Sequence, residues 1–392
     1  MADSSKRSTP TGTRRQPRAY QICVRCVMDT SDPEILFDRD GHCNHCREFL
    51  AVRSGYTHHG GALRADLERI VDEIKASGRD RDHDCVIGMS GGVDSSYLAH
   101  LAKNEFGLRP VAVHMDNGWD SPDAVINIRN IVKRLDLTYE SYVLDWDEFR
   151  DLQLAFLRAS VPETETPTDV AIPVALHHVA AKYGIKYVLS AGNLATEGIL
   201  PKSWHYNARD YRYFEHIRKT FGEREKNGFR FFDYKSELFY KFFKGIKTVY
   251  PINYLPFSKN DVVARLARDL DFRYYGQKHH ESRYTKFIQS YYLFEKFGID
   301  YRRATFSSQI MDGALSRDEA LDQLTQKPYA DEEIGEEKRY VAKKLGISGE
   351  DLDMIIASPP HWYFDYPNDQ GRLAFIYSVY RRLSGKNKLA SV

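Results

Sequence analysis

Leu63, Leu67, Ile70, Val71 and Ile74 fall at i, i+4, i+7, i+8 and i+11, the spacing of one helix face. Downstream the pattern changes to short apolar runs of strand length at Cys85–Met89, Pro110–Met115, Ser141–Leu144 and Tyr187–Ser190. Between them Val93–Phe106, Ala124–Leu135 and Val174–Tyr183 read as helices, the first closed by Gly107 and the last by Gly184. Strand–helix alternation predicts an α/β fold with a parallel, doubly wound sheet, helices on both faces and ligands at the carboxyl ends of the strands.

After about residue 203 the character shifts. Of the chain's 51 aromatic residues, 27 lie between Trp204 and Tyr301, so this stretch is a different kind of structure from the sheet. Its rings suit base stacking, the wall of a sugar-nucleotide pocket, or plain core. The doublets Phe231-Phe232 and Phe242-Phe243 favour core or wall. From about 315 to 392 helical patterning returns, opening with Leu315, Ala320, Leu321 and Leu324 and closing with Ala374, Ile376, Tyr377, Tyr380 and Leu383. The expected organisation is a disordered tail over 1–20, a Cys-punctuated unit over 21–50, the α/β domain over 60–203, and an aromatic-rich, mainly helical remainder over 204–392.

Composition narrows the class. Hydrophobic residues make up 42%, enough for a sizeable core. Lys+Arg is 56 against Asp+Glu 55, and a net charge of +1 argues against sequence-blind nucleic-acid binding. No run of 18 apolar residues exists, so no membrane partner is expected. The first twenty residues carry five basic groups against one acid and no apolar stretch, which reads as a tail rather than a secretory signal. Five cysteines in 392 residues do not make a disulfide framework. A reducing, cytoplasmic location is the expectation.

Four of the five form Cys23-x2-Cys26 and Cys43-x2-Cys46, sixteen residues apart. That spacing presents four thiolates for a tetrahedral Zn²⁺ shell. About thirty residues cannot build a core alone, so the metal would stabilise the unit. His42 and His45 are further candidate ligands, but four thiolates already fill the shell, which leaves zinc a structural role.

Ser90-Gly91-Gly92-Val93-Asp94-Ser95-Ser96 follows a strand and opens a helix. Two glycines let backbone N–H groups approach an anion, the helix start adds its positive end, and Ser90, Ser95 and Ser96 add hydroxyls. Asp94 suits a helix cap or a Mg²⁺ ligand. The loop is not a Walker A sequence. A plain Ser/Gly turn is the bland alternative.

The segment SGGVDSS resembles the signature of the PP-loop (N-type) ATP pyrophosphatases, whose fold is adenine nucleotide alpha hydrolase-like. Residues 23–46, ETPTDVAI at 165–172, LSAGNLATEG at 189–198 and HHESRYTKF at 279–287 are similar to the N-acetyl sugar amidotransferases of O-antigen (lipopolysaccharide) and flagellin nonulosonic-acid biosynthesis. The resemblance covers the chain from about residue 21. It implies that the loop holds the leaving pyrophosphate of ATP with Mg²⁺. It further implies that an N-acetyl oxygen of a sugar nucleotide is adenylated and replaced by ammonia-derived nitrogen, giving an acetamidino sugar. By the same resemblance, the backbone of His114, Met115 and Asp116 contacts the adenylate. Gly192 and Asn193, with Glu197 nearby, end the fourth strand and line the same cleft or merely cap a helix. Thr168 and Asp169 read as caps.

His279-His280-Glu281 lacks zincin spacing, since Tyr284 stands where a second His is needed. Arg283 and Lys286, three apart, share a helix face and are read as cations for the triphosphate or the acidic sugar nucleotide, Lys286 foremost for the pyrophosphate. Position 2 is Ala2 and the one remaining cysteine, Cys85, opens an apolar strand, so a glutaminase nucleophile is missing. A separate glutaminase subunit is therefore expected to supply ammonia, unless free ammonia suffices; a homo-oligomer is open. The competing reading is a tRNA-thiolating PP-loop enzyme, disfavoured by the shortage of cysteines and the balanced charge.

Overall fold

The computed structural model describes residues 19–53, 61–225, 228–276 and 280–384. The expected tail, apart from residues 19 and 20, and His279 lie outside them. Five strands form one parallel sheet: β1 (Cys85–Gly88), β2 (Pro110–Asp116), β3 (Thr138–Val143), β4 (Tyr187–Leu189) and β5 (Lys247–Val249), in the order β3-β2-β1-β4-β5. The first eight helices are α1 (Asn44–Arg53), α2 (Gly61–Ser77), α3 (Val93–His100), α4 (Pro122–Arg134), α5 (Trp146–Arg158), α6 (Thr166–Lys182), α7 (Leu194–Glu197) and α8 (Tyr211–Phe221).

Alternation along the strands sorts their side chains into two cores. Cys85 and Ile87 of β1 pack with Leu67 and Ile74 of α2, Leu98 of α3 and Ile131 of α4. Val86, with Val111 and Val113 of β2, faces Ala175 and Val179 of α6 instead. The sheet is thus doubly wound, as the alternation predicts. All five strands run the same way, and their order along the sheet reverses between β1 and β4, which makes the carboxyl ends of these two the switch point where α/β sheets bind ligands.

Several boundaries differ from expectation. The sheet does not stop at 203: β5 pairs with β4, and Val262, Leu266 and Leu270 of the helix Lys259–Leu270 join the α2–α4 core. Helix α6 begins at Thr166, eight residues before the expected start at Val174. Pro167 sits in its first turn, where no N–H is needed, and Pro173 forgoes only the bond to the carbonyl of Asp169. Its N-cap is Glu165, so Thr168 and Asp169 are not caps. Thr168 instead accepts from Asn117 Nδ2 at 3.4 Å, and Asp169 lies 3.6 Å from His205. Helix α5 is additional, and Asp145 caps it by accepting from the N–H of Glu148 at 2.9 Å. The expected helix Val93–Phe106 is α3 continued by a π-turn, Leu101–Glu105, with Gly107 at φ +61° after it.

The cysteine unit shares its core with the C-terminal helices, where the four cysteines, Phe49, Phe287, Ile288 and Leu293 form one cluster. Elsewhere, beside the core that holds Tyr213 and Phe156, Glu163 is 3% exposed; Tyr213 donates its hydroxyl to Oε1, and Oε2 meets no donor among the described residues. Burial pushes this carboxyl up to about 8, against the opposing pull of the Tyr213 bond. A raised carboxyl stabilises the fold fully only below its ordinary range, and that stability is lost as pH rises through about 8. Each pH unit across that window costs up to about 1.4 kcal/mol. Thermal melts at pH 5.5 and 8.5 are expected to differ in wild type and to draw together in Glu163→Gln, which stays neutral; an unchanged difference would refute the assignment.

Candidate functional site

The phosphate-type loop leaves β1 at Gly88 and enters α3 at Val93. Gly91 takes φ +76°, and a Cβ there would stand 2.5 Å from the carbonyl oxygen of Ala124, so no larger residue fits. Gly92 is the N-cap of α3 and makes no side-chain cap bond, which places Asp94 inside the helix as its second residue rather than as its cap. The serines shape the loop more than they face outward. Ser96, fully buried, donates to the Gly92 carbonyl at 2.6 Å, and Ser95 donates to it at 3.2 Å while lying 3.1 Å from Ser90 Oγ. Ser90 alone of the three is exposed.

A second turn of the same make ends β4. The N–H of Gly192 donates to Ser190 Oγ at 3.2 Å, matching Gly92 and Ser90 at 3.2 Å. The two turns flank the switch point. Asn193 caps α7 through Oδ1, which accepts from Ala195 at 2.9 Å, with Glu197 Oε2 accepting its N–H at 3.3 Å. Its amide Nδ2 is buried and unpartnered, which capping does not explain.

β2 runs past β1: Val113 is opposite Gly88, and His114, Met115 and Asp116 extend three residues further beside β3. His114 is fixed at both ring nitrogens, Nδ1 to the Met89 carbonyl and Nε2 to Asp120, each at 2.9 Å. Burial pulls its imidazolium down, but the hydrogen bond and charge of Asp120 outweigh this and hold it above the ordinary value. Met115 and Asp116 are half-buried, and Asp116 Oδ1 accepts from Gly118 at 2.9 Å.

The last contribution comes from far along the chain. Ser121 donates its N–H to the Glu281 carbonyl at 2.7 Å, and Arg283 donates its own to the Trp119 carbonyl at 2.9 Å. This pairing sets the Glu281 carboxylate against the loop, where a Cβ on Gly92 would stand 2.9 Å from Oε1. Tyr275 donates to Glu281 Oε2 at 3.1 Å; burial first, then the charges of Glu281 and Asp94, hold its phenol well above the ordinary value. The sequence reading missed Glu281 as a partner of the loop, because nothing local in 279–287 points there.

Arg283 and Lys286 do share one face of the helix Arg283–Phe287, but that face meets the helix Asp331–Leu345. Arg283 bonds Glu337 at 3.1 Å and lies 3.4 Å over the ring of Tyr340, so it serves the seam rather than an open anion site. Lys286 lies 3.4 Å from Glu333 and stays partly exposed. Its charge and that of Lys259, after burial, hold His280 down at about 4.

The four cysteine sulfurs are buried, with Cys23–Cys46 at 3.8 Å, Cys26–Cys43 at 3.7 Å and Cys43–Cys46 at 3.6 Å, and none forms a disulfide. A tetrahedral Zn²⁺ with bonds of about 2.3 Å needs sulfur–sulfur edges of about 3.75 Å, so the donor set fits. His45 is taken by Asp32 at 2.7 Å, and His42 lies beside Asp38 and Asp40, away from the sulfurs. Cys85 is wholly buried, and burial pushes its thiol up, which suits a core residue and not a nucleophile.

Residues 65–153 match the NAD synthase family, and residues 281–383 match the family described as LPS biosynthesis protein WbpG-like, C-terminal domain. The chain joins a PP-loop domain to a WbpG-like C-terminal domain. An uncharacterized protein of Methanocaldococcus jannaschii is 26% identical over 112 residues, 28% of this chain and 38% of that protein. A tRNA-specific 2-thiouridylase MnmA of Bradyrhizobium sp. is 31% identical over 126 residues, 29% of this chain and 30% of that protein. The chain therefore spans less than two fifths of the curated relatives it matches. Among solved structures, the NMN synthetase of Francisella tularensis has a TM-score of 0.37 at 15% identity, covering 73% of this chain and 97% of that one. The NH3-dependent NAD synthetase of Campylobacter jejuni has 0.26 at 20%, covering 34% and 58%. No helix among the described residues is long and apolar enough to cross a membrane.

Arg317 binds the carbonyls of Cys23 and Cys26 at 3.0 and 3.1 Å, tying the cysteine unit to the C-terminal helices. Chelation is expected to release one zinc per chain and lower the melting temperature. Arg317→Met is expected to cost about 1–3 kcal/mol and to speed release into a chelator dye; release at the wild-type rate would refute this coupling.

Proposed function

We propose that this protein is the synthetase subunit of an ATP-dependent N-acetyl sugar amidotransferase acting in surface polysaccharide or flagellin sugar biosynthesis. The observation that carries the reading is the PP-loop at the switch point, closed from above by Glu281, the first residue of the WbpG-like match. PP-loop domains of this kind use ATP and Mg²⁺. When bound, Mg²⁺ neutralises phosphate charge; Asp94 and Glu281 are the carboxylates placed to hold it.

In this reading Ser90, Gly91, Gly92 and the start of α3 receive the β- and γ-phosphates through backbone N–H groups and the Ser90 hydroxyl. Ser95 and Ser96 hold that loop in shape from below. His114, Met115 and Asp116 bear on the adenylate, and Gly192 with the free amide of Asn193 closes the other side. Lys286 adds positive charge for the pyrophosphate. The acetamido oxygen attacks the α-phosphorus and pyrophosphate departs, leaving an O-adenylated imidate. The amide N–H proton is lost to solvent as the imidate forms; ammonia then adds at the imidate carbon, the carbon–oxygen bond to AMP breaks, and the product leaves as the protonated amidine. No covalent enzyme intermediate is needed; the chain's work is positioning and charge.

Because Cys85 is sealed in the core, ammonia comes from a separate glutaminase subunit or from solution. The protein works in the cytoplasm, where ATP and nucleotide sugars are found. The alternative, a tRNA-thiolating enzyme, has the partial likeness to the 2-thiouridylase in its favour. It lacks an accessible cysteine outside the zinc-type set.

Mass spectrometry tests the proposal. Incubation with ATP, Mg²⁺, ammonium and N-acetylated nucleotide sugars is expected to exchange one amide oxygen for NH with release of AMP. AMP release stimulated only by tRNA would overturn it. Asp94→Asn is expected to lower AMP formation at least a hundredfold with the melting temperature within a few degrees; undiminished turnover would remove Asp94 from the site.

A further inference from the structure

Two adjoining cavities, of about 280 and 620 Å³, form one groove along the outer side of α6. They share Val174 of α6 and the crossing segment Gly228, Phe229 and Arg230. The smaller opens at Tyr142, Val143 and Leu144, where β3 ends. Leu144 donates its N–H to the Asp116 carbonyl at 3.0 Å, so this lobe starts one strand away from the candidate site. The larger continues past His178 to Tyr240. Its volume lies in the range of small-molecule sites.

The walls of the larger lobe are rings. Tyr211 is 40% exposed and meets Phe231 edge-on at 5.1 Å; Phe232 stacks with Tyr240 at 5.9 Å. Flat apolar faces at this density suit a planar base. The charges sit where the lobes meet. Arg230 lines both lobes and is exposed, and neither it nor Lys235 has an ion pair among the described residues. Arg224 is held by Asp147 at 3.1 Å. Of the lining acids, Asp145 and Asp233 are turned into backbone as helix caps, each accepting an N–H at 2.9 Å, and Glu148 is the third. The waist therefore offers a guanidinium fork to an anion, between an aromatic lobe and a lobe that opens at the end of β3.

We propose that this groove is a second nucleotide site, which binds the nucleoside diphosphate end of the substrate sugar. The base lies among Tyr211, Phe231 and Tyr240, the diphosphate meets Arg230, and the sugar occupies the smaller lobe facing Asp116. The proposal rests on the amidotransferase reading for its substrate class. It goes beyond it in placing recognition of the nucleotide handle outside the ATP cleft, on residues the chemistry does not use. A single-stranded nucleic acid would need a basic track continuing beyond the waist, and an apolar peptide would leave Arg230 unmatched.

Titration calorimetry on the full, zinc-loaded chain tests it, with uridine and guanosine 5′-diphosphate as probes and uridine and inorganic pyrophosphate as controls. At least one diphosphate is expected to bind saturably, more tightly than either control. Saturating Mg-ATP should leave its affinity within twofold. Arg230→Glu should weaken it at least tenfold while leaving ATP binding unchanged; Lys235→Glu gives the same readout if the first variant melts early. Absence of binding by both diphosphates, equal binding of pyrophosphate, displacement by ATP, or insensitivity to both substitutions would overturn the site. AMP formation without groove binding removes the groove and leaves the reaction; groove binding without AMP formation supports the site and removes the reaction.

Discussion

Two backbone hydrogen bonds register the halves of this molecule on one another. Ser121 donates to the carbonyl of Glu281, and Arg283 donates to that of Trp119. The C-terminal helices contribute no strand to the sheet, so this short antiparallel contact aligns them with the strand ends. Each bond is worth only about 0.5–1.5 kcal/mol. The remainder comes from Trp119, which is fully buried, packs against Tyr284 with tilted rings 5.0 Å apart, donates its indole N–H to Gln153 at 2.7 Å and lies under the ammonium of Lys344 at 4.9 Å. One large side chain at the end of β2 thereby fixes where Glu281 arrives. A carboxylate misplaced by a side-chain length would leave Gly92 and the loop facing open solvent.

The cysteine unit holds the same helices from their other side. Arg317 binds the carbonyls of Cys23 and Cys26, Arg303 binds the Val27 carbonyl at 2.8 Å and pairs with Asp29 at 3.0 Å, and the Ser307 hydroxyl accepts from Val27 at 3.2 Å. These acceptors point correctly only if the two CxxC turns are closed. A metal in the thiolate shell would therefore act at a distance, by keeping the helical part seated on the sheet. A filled thiolate shell has no open coordination position, so its effect on the sheet edge would be purely structural.

The strands and the helices between them were legible because a buried parallel sheet writes itself as short apolar runs separated by periodic segments. The loop was legible because its glycines, serines and Asp94 are contiguous. What escaped was non-local. β5 is three residues long, with Lys247 and Thr248 exposed, so no apolar run marks it; its pairing with β4 decides its state. The first eight residues of α6 hid behind two prolines that its first turns tolerate, and α5 was passed over although Asp145, with Glu148 at N3, is a start signal for it. The approach of Glu281 to the loop and that of Arg283 to Glu337 were invisible, because Gly92 and Glu337 lie more than fifty residues away from them in sequence. For Asn193 the sequence allowed a cap or a site residue, and the geometry separates its two polar atoms: the oxygen caps α7 and the nitrogen is left over.

The charge at the strand ends has a further consequence. Asp94, Asp116 and Glu281 stand at one edge, and the phenol of Tyr275, raised first by burial, is raised further by the charges of Glu281 and Asp94. Backbone N–H groups and one buried amide favour an anion there, but two or three carboxylates oppose it by an amount that grows as water leaves. Arg283, the strongest cation nearby in sequence, is committed to Glu337. A bare polyphosphate is thus poorly matched to this edge, whereas one carrying a divalent cation would turn Asp94 and Glu281 from repulsive neighbours into candidate ligands. On the proposed function, the acidic residues that look out of place beside a phosphate loop would favour a metal-bound nucleotide over a free anion.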